Sequence, residues 1–357
     1  MHENFHALIR GERKGPWPTI QRFGLWMLSL PYGVGVRLRN GAFDRGWRTV
    51  EAAPVPVISV GNLTAGGTGK TPCVESIARF YRGLDRRVAI LSRGYGTTAG
   101  ANDEALVLEQ NLPDVPHLQG TDRAVLARTA VEELESEVLV LDDGFQHRRL
   151  RRDLDVVLID ATNPWGYGDL LPRGLLREPV SGLRRAQVVV LTRTDLATSA
   201  ELDSIRSRVK HMAPGALLVE TMHEPAAWQN AAGVEQAAQT LRGRTVAAFC
   251  GIGNPEGFRR TLEQLGADVA AWRTFPDHHA YTRNDIEELR RWARQQPADA
   301  ALVTTQKDLV KINLDRLGDR ELWALRIRLR ITAGREAFEA KLHDVVMNGE
   351  RRGVSPT

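Results

Sequence analysis

Residues Val55 to Arg82, VPVISVGNLTAGGTGKTPCVESIARFYR, confine this chain to a narrow set of folds. Val55, Val57, Ile58 and Val60 make a short apolar run of the kind buried in a sheet. A glycine-rich turn follows, and after Pro72 the apolar residues Val74, Ile77, Ala78 and Tyr81 recur at helical spacing. A strand that passes through glycines into a helix is the frame of a phosphate-binding loop. Glycines let backbone N–H groups turn toward an anion, and the helix N-terminus adds partial positive charge. The expected loop is Thr64, Ala65, Gly66, Gly67, Thr68, Gly69, Lys70 and Thr71. Lys70 is placed against the β- and γ-phosphates of a nucleotide and the Thr71 hydroxyl on Mg²⁺. Thr64 stands where the usual spacing asks for glycine, and Gly66 and Gly67 supply the flexibility instead. A turn that binds nothing is the plainer alternative; Gly-Lys-Thr at the strand-to-helix junction weighs against it.

The strand EVLVLDDG ends in Asp142 and Asp143, at the edge where parallel sheets place their ligands. An apolar strand ending in a carboxylate that reaches Mg²⁺ is the partner expected of a phosphate loop. RRVAILSRGYG, DVVLID and QVVVLTRTD supply further strands, and the alternation resumes with ALLVE, TVAAFCGIG, a helix from Pro255 to Leu265, and AALVTTQKD. The fold class is therefore α/β of the P-loop NTPase type, a mainly parallel sheet with helices on both faces, plus a smaller C-terminal α/β half. The expected divisions are an N-terminal segment over 1–40, a P-loop core over 41–225, a second half over 226–345 and a polar tail over 346–357. Residues 222–244 read as a polar junction. The basic run His147 to Asp153 reads equally as a solvated face or an anion-binding patch, and the Gly-, Pro- and Arg-rich connection 165–179 as a place for substrate contacts or a surface loop. Adjacent His278 and His279 point in different directions on any regular element and make a poor metal pair.

A chain of 357 residues, 42% apolar and 26% charged, is globular in composition. Its 48 basic and 44 acidic residues leave +4, a mild excess that suits phosphate or an anionic membrane surface and does not call for nucleic acid. Cys73 and Cys250 lie far apart in apolar segments, so neither a CxxC metal site nor a disulfide framework is available, and a reducing cytoplasmic setting fits. FGLWMLSLPYGVGV, Phe23 to Val36, is shorter than the ~20 residues that span a bilayer, and Pro31, Gly33 and Gly35 weaken it as a continuous helix. No cleavage site of the secretory kind follows it. It reads either as a helix packed on the main domain or as a basic-flanked interfacial anchor with Trp26 at the lipid boundary.

Taken in order, VPVISVGNLTAGGTGKTP, SRGYG, the Asp-Glu of NDEALVL, LDDGFQH, LPRGLLREP, GIGNPEGF, FPDHHAYT and TTQKDLVK resemble the tetraacyldisaccharide 4′-kinases, the lipid A 4′-kinases of the Gram-negative inner membrane. The likeness covers nearly the whole chain after about residue 20, and the family's own phosphate loop has the form seen here. It implies transfer of the ATP γ-phosphate to the 4′-hydroxyl of a tetraacylated glucosamine disaccharide 1-phosphate, at the cytoplasmic face of the inner membrane, by a peripheral or monotopic monomer. It also implies Asp103 as catalytic base supported by His278, and Asp142, Asp143 and Glu104 with Thr71 around Mg²⁺. Tyr95, Gln146, Arg177 and Glu178 fall among the residues near substrate, phosphates or metal. Asp103 and His278 are 175 positions apart, and their pairing is expected to require closure of two halves over a shared cleft. A GTPase of the metallochaperone or translocation type is the enzymatic rival, since LTRTD faintly echoes a guanine-recognition motif, but Thr192 and Arg193 replace its Asn and Lys. A non-catalytic ATP-gated membrane switch is the rival of another class.

Overall fold

The computed structural model of the chain describes residues 2–94 and 103–353. The order begins with α1 (His2–Ile9), α2 (Pro16–Asp44), β1 (Val57–Asn62), α3 (Lys70–Arg82), β2 (Val88–Ser92), α4 (Asp103–Asn111), β3 (His117–Gln119), α5 (Arg123–Glu132) and β4 (Val138–Asp142). Next come β5 (Leu154–Asp160), β6 (Val188–Thr192), α6 (Ser199–Met212), β7 (Leu217–Gln229), β8 (Glu235–Ala237), β9 (Thr245–Cys250) and α7 (Pro255–Gln264). The chain ends through β10 (Asp268–Thr274), α8 (Arg283–Arg294), β11 (Ala301–Thr305), α9 (Gln306–Ile312), β12 (Arg316–Leu317), β13 (Arg320–Ala333) and α10 (Arg335–Gly353). Two units share these elements. The first runs to Arg93, resumes over Val115–Met222 and returns from Arg330; the second takes the residues up to Asp114 and His223–Leu329.

In the first unit the strand order is β7-β6-β5-β1-β4-β2-β3, parallel throughout. Every residue of β1, β2, β4 and β6 is buried, which is why these strands are rich in Val, Ile and Leu on both faces, with polar residues gathered toward their C-terminal ends. β1 lies between β4 and β5, so the chain leaves it toward both sides of the sheet, and the C-terminal ends of β1 and β4 open side by side. Gly61 makes that neighbourhood possible: a Cβ there would lie 2.6 Å from Phe145 Cβ and 2.8 Å from the Phe145 nitrogen. Helix α3 starts at Lys70, two residues before the expected Pro72. Gly69 caps it with a left-handed φ of 89°, and Pro72 falls within the first turn, where a backbone N–H has no helical acceptor to lose. Cys73, Val74, Ile77, Ala78 and Tyr81 bury its inner face, and the Tyr81 hydroxyl donates to the Leu342 carbonyl of α10 at 2.8 Å.

The N-terminal segment departs from expectation. Pro31, Gly33 and Gly35 do not interrupt it; α2 is one helix of 29 residues with Pro31 inside. A proline in a helix interior costs ~3 kcal/mol, and tertiary packing offsets it here. Ser29, Gly33, Val36 and Phe43 are buried along one side, where a Cβ at Gly33 would meet Leu170 Cδ1 at 2.8 Å. Trp17, Ile20, Phe23, Met27, Leu30, Val34 and Leu38 recur every three or four residues on the opposite side and are all exposed. No helix among the described residues is long and apolar enough to cross a membrane.

In the second unit β10-β9-β11-β13 is parallel, with β8 and β12 joining as antiparallel edges. The polar junction expected over 222–244 is largely regular structure: β7 runs on to Gln229, and its last three residues, Ala227, Trp228 and Gln229, are buried. Trp228 packs with Leu241, Val246, Ala248 and Trp323, so one large ring anchors a stretch whose composition is otherwise polar. Helix α4 packs against α9 in this unit, although the sequence places it between two strands of the first.

Candidate active site

The phosphate loop leaves the buried end of β1 and is fixed at both edges. Gly66 takes φ 113°, beyond the reach of ordinary side chains, and no atom lies within 4 Å of where its Cβ would be. The Ala65 nitrogen donates to the Leu175 carbonyl at 2.7 Å, and Thr64 bridges to Leu176, so Thr64 is held by the segment that precedes Arg177. On the other edge the buried Thr192 hydroxyl donates to the Thr68 carbonyl at 2.9 Å and Arg193 Nη2 to the Gly67 carbonyl at 3.0 Å. LTRTD thus restrains the loop. The Thr68 nitrogen turns back to the Gly66 carbonyl at 3.1 Å, while across a trans peptide the Gly69 N–H points away from the anchored Thr68 carbonyl.

Lys70, the first residue of α3, lies 3.6 Å from Asp143 Oδ1. Arg177 grips the same carboxylate with both terminal nitrogens, at 2.8 and 2.7 Å, and also donates to the Asn62 side-chain oxygen. Burial alone would raise the Asp143 pKa, but the Arg177 hydrogen bonds and the Lys70 and Arg123 charges outweigh it and hold the carboxyl well below the usual range. Lys70 and Arg177 therefore converge on the one Asp143 carboxylate at the C-terminal ends of β1 and β4, with Arg123 and the Asp142 end of the strand beside them. Behind them Gln146 donates to the Asn62 carbonyl and to Glu178 Oε1, both at 2.9 Å. Glu178 is fully buried, and its carboxylate also receives Arg185 at 2.8 Å and Asn40 at 3.1 Å. Glu178 is thereby a support for its neighbours, and a fully buried carboxylate with these donors has no free face for a phosphate or metal.

The residues expected around Mg²⁺ divide between the units. Thr71 and Asp142 are both buried, at the start of α3 and the end of β4. Hydroxyl and carboxylate oxygens are the hard donors Mg²⁺ takes, and one or two suffice when nucleotide phosphates and water supply the rest. The Asp143 carboxylate faces Arg177 and Lys70. Glu104 belongs to the second unit and pairs with Lys307 at 2.9 Å. Among the described residues no group of three or more His, Cys, Asp or Glu is assembled for a metal.

In the second unit Asp103 opens α4, almost wholly buried, and His278 Nδ1 sits 3.1 and 3.2 Å from its two oxygens. The pair forms inside one unit, because residues of α4 belong with 223–329; no closure of two halves is needed to join them. His278 takes a left-handed φ of 56°, and its exposed ring caps the Asp103 carboxylate from the solvent side. Burial pushes the Asp103 pKa up, yet the His278 hydrogen bond and the charges of Lys307 and Lys311 bring it below the ordinary range. The hydrogen bond to Asp103 raises the His278 pKa against the opposing effect of burial. The result is a carboxylate held in the ionised form and oriented by a histidine ring. His279 goes elsewhere, to Asp285 at 3.2 Å in the first turn of α8, which Thr282 caps.

Tyr95 lies outside the described residues. Lys307, Lys311 and Tyr281 were missed by sequence reasoning. Lys311 stands 3.9 Å from Asp103 and 3.3 Å from the fully buried Asp308, which also accepts from the Tyr281 hydroxyl at 3.0 Å. Their signal was the i,i+4 spacing of the two lysines in TTQKDLVK, which puts both on one helix face beside Asp308. Both cysteines are free and buried, and burial pushes each thiol up to about 12, which leaves them chemically quiet.

The family model LpxK, tetraacyldisaccharide-1-P 4′-kinase, matches residues 21–347. The tetraacyldisaccharide 4′-kinase of Anaeromyxobacter dehalogenans (strain 2CP-C) is 44% identical over 93% of this chain and 92% of its own. That of Syntrophus aciditrophicus (strain SB) is 41% identical over 84% and 87%. A crystal structure of LpxK from Aquifex aeolicus in complex with ATP superposes with a TM-score of 0.73 at 30% identity, covering 91% of this chain and 99% of that one.

Proposed function

This chain belongs to the tetraacyldisaccharide-1-P 4′-kinase family, and from that premise we propose how its residues carry the family's reaction. ATP gives its γ-phosphate to the 4′-hydroxyl of a tetraacylated glucosamine disaccharide 1-phosphate, a late step of lipid A synthesis that yields lipid IVA. The observation that carries this reading is the convergence of Lys70 and Arg177 on Asp143 beside a phosphate loop anchored on both edges. Phosphoryl transfer asks a protein mainly to position reactants and neutralise charge. The loop N–H groups and Lys70 hold the β- and γ-phosphates, and Arg177 meets the charge that develops as the phosphoryl group moves. Thr71 and Asp142 would hold Mg²⁺, which when bound neutralises the phosphate oxygens. Asn62, Gln146 and Glu178 keep Arg177 in place.

The sugar hydroxyl must lose its proton, and Asp103 accepts it at a carboxylate oxygen while His278 fixes the orientation of that carboxylate. Tyr95 and Glu104 remain assigned to the substrate and metal side of the reaction. The exposed apolar face of α2, flanked by Arg22 and Arg37, rests on the cytoplasmic surface of the inner membrane, where a tetraacylated acceptor resides. The test is transfer of labelled γ-phosphate from ATP to a tetraacyldisaccharide 1-phosphate in detergent micelles. A labelled lipid product is expected; nucleotide hydrolysis without it, or a preference for GTP, would overturn the assignment.

A further inference from the structure

Helix α2 does more than present an apolar face. Its buried side carries two polar side chains that end on the segment holding Arg177. The Tyr32 hydroxyl donates to the Arg177 carbonyl at 2.8 Å, and Asn40 Nδ2 donates to Glu178 Oε2 at 3.1 Å. From there the hydrogen bonds are continuous: Glu178 takes Gln146, Gln146 reaches the Asn62 carbonyl, and the Asn62 side chain contacts both Arg177 and the Thr64 carbonyl at the start of the phosphate loop. The Arg177 nitrogen in turn donates to the Leu63 carbonyl at 2.7 Å. Every link lies in the first unit. The contact also has the geometry of a built joint, since Gly33 leaves room for Leu170 where any side chain would clash.

We propose that Tyr32 and Asn40 are positioning residues for phosphoryl transfer, so that the helix facing the lipid is part of the catalytic apparatus and not a separable anchor. The proposal rests on the phosphotransfer role given above to Arg177. The Tyr32 hydrogen bond fixes the Arg177 backbone, and Asn40 helps to satisfy the buried Glu178 carboxylate, so each limits the drift of the guanidinium from the phosphates. A displacement of about 1 Å at such a group is enough to matter, because charge stabilisation in the transition state depends on placement fixed in advance.

The experiment compares Tyr32→Phe, which removes one hydroxyl, and Asn40→Leu, which keeps the volume and removes the donor, with the parent. It measures kcat, the KM for each substrate, thermal midpoint, and sedimentation with phosphatidylglycerol vesicles. Tyr32→Phe is expected to lower kcat about 3- to 10-fold, the effect of one neutral hydrogen bond, with acceptor KM and sedimentation unchanged. In an Arg177→Ala background the same change should have almost no further effect, because it acts through that side chain. An unchanged kcat in both single variants, or full multiplicativity with Arg177→Ala, overturns the proposal. So does a rise in acceptor KM with loss of sedimentation at constant kcat, the pattern of an anchor alone. Absence of lipid product from the parent protein would instead refute the kinase reading itself.

Discussion

Replacing Asp103 by Ala removes the group assigned to take the acceptor proton, and the structure sets how the loss should compare with that of its partner. General base catalysis contributes about 10²- to 10⁴-fold, so kcat should fall by that order while the ATP KM changes little, since Asp103 belongs to the unit without the phosphate loop. His278 contributes through a single ring nitrogen, 3.1 Å from the carboxylate, on a side chain that is 61% exposed, whereas Asp103 is 6% exposed. A hydrogen bond to a charged carboxylate nets roughly 1.5–3 kcal/mol, and solvent around the exposed ring brings it to the lower end, so His278→Ala should cost about 10-fold. Lys311 remains 3.9 Å from the same carboxylate, so losing the imidazole does not strip Asp103 of positive charge. The assay is steady-state transfer of labelled γ-phosphate to the disaccharide acceptor in micelles, for both single variants and the double. If His278 acts only by orienting Asp103, the double variant loses no more than Asp103→Ala alone. A His278→Ala loss as large as that of Asp103→Ala, or fully multiplied losses, would refute the assignment of base and orienter.

Lys70→Ala should abolish transfer and leave the thermal midpoint near that of the parent, because this lysine sits at the helix start and not in the core; unchanged turnover would remove the phosphate loop from the mechanism. Asp142→Asn should raise the Mg²⁺ concentration needed for half-maximal rate or eliminate activity, while a titration identical to the parent would exclude Asp142 from the metal. Burial, reinforced by the Arg123 charge, lowers the His147 pKa to about 4 from an ordinary value near 6.5. The unfolded chain therefore binds this proton first as pH falls, and stability should drop between about pH 6.5 and 4; urea unfolding of His147→Gln should show a flatter slope there. Binding to phosphatidylglycerol vesicles should weaken at high salt, since contacts from Arg22 and Arg37 are screened over a Debye length of roughly 8 Å at physiological ionic strength. Sedimentation unaffected by salt would assign the binding to the apolar face alone.

The phosphate loop, its strand and the β4 carboxylates were legible because local chemistry dictates them. Fully buried parallel strands are rich in Val, Ile and Leu, and a tight turn that points N–H groups at an anion needs glycines, so β1, β4 and β6 and the loop 64–71 are recognisable from local sequence. The continuity of α2 was not legible for the complementary reason. Proline and glycine propensities are local, whereas the packing of Gly33 on Leu170 and the tie from Tyr32 to Arg177 come from residues more than a hundred positions away.

By itself, then, the sequence determined which residue types are available for the proposed chemistry, through motifs whose spacing is fixed by one strand, one turn or one helix. Tertiary structure alone decided which of them meet. It placed α4 in the second unit, so that Asp103 finds His278 there and Glu104 pairs with Lys307. It buried Glu178 behind Arg177, with Arg185, Gln146 and Asn40 on its oxygens. The physical reason is that a hydrogen bond or ion pair depends on distances of about 3 Å set by the packing of whole elements. Spacing along the chain fixes such distances only within an element.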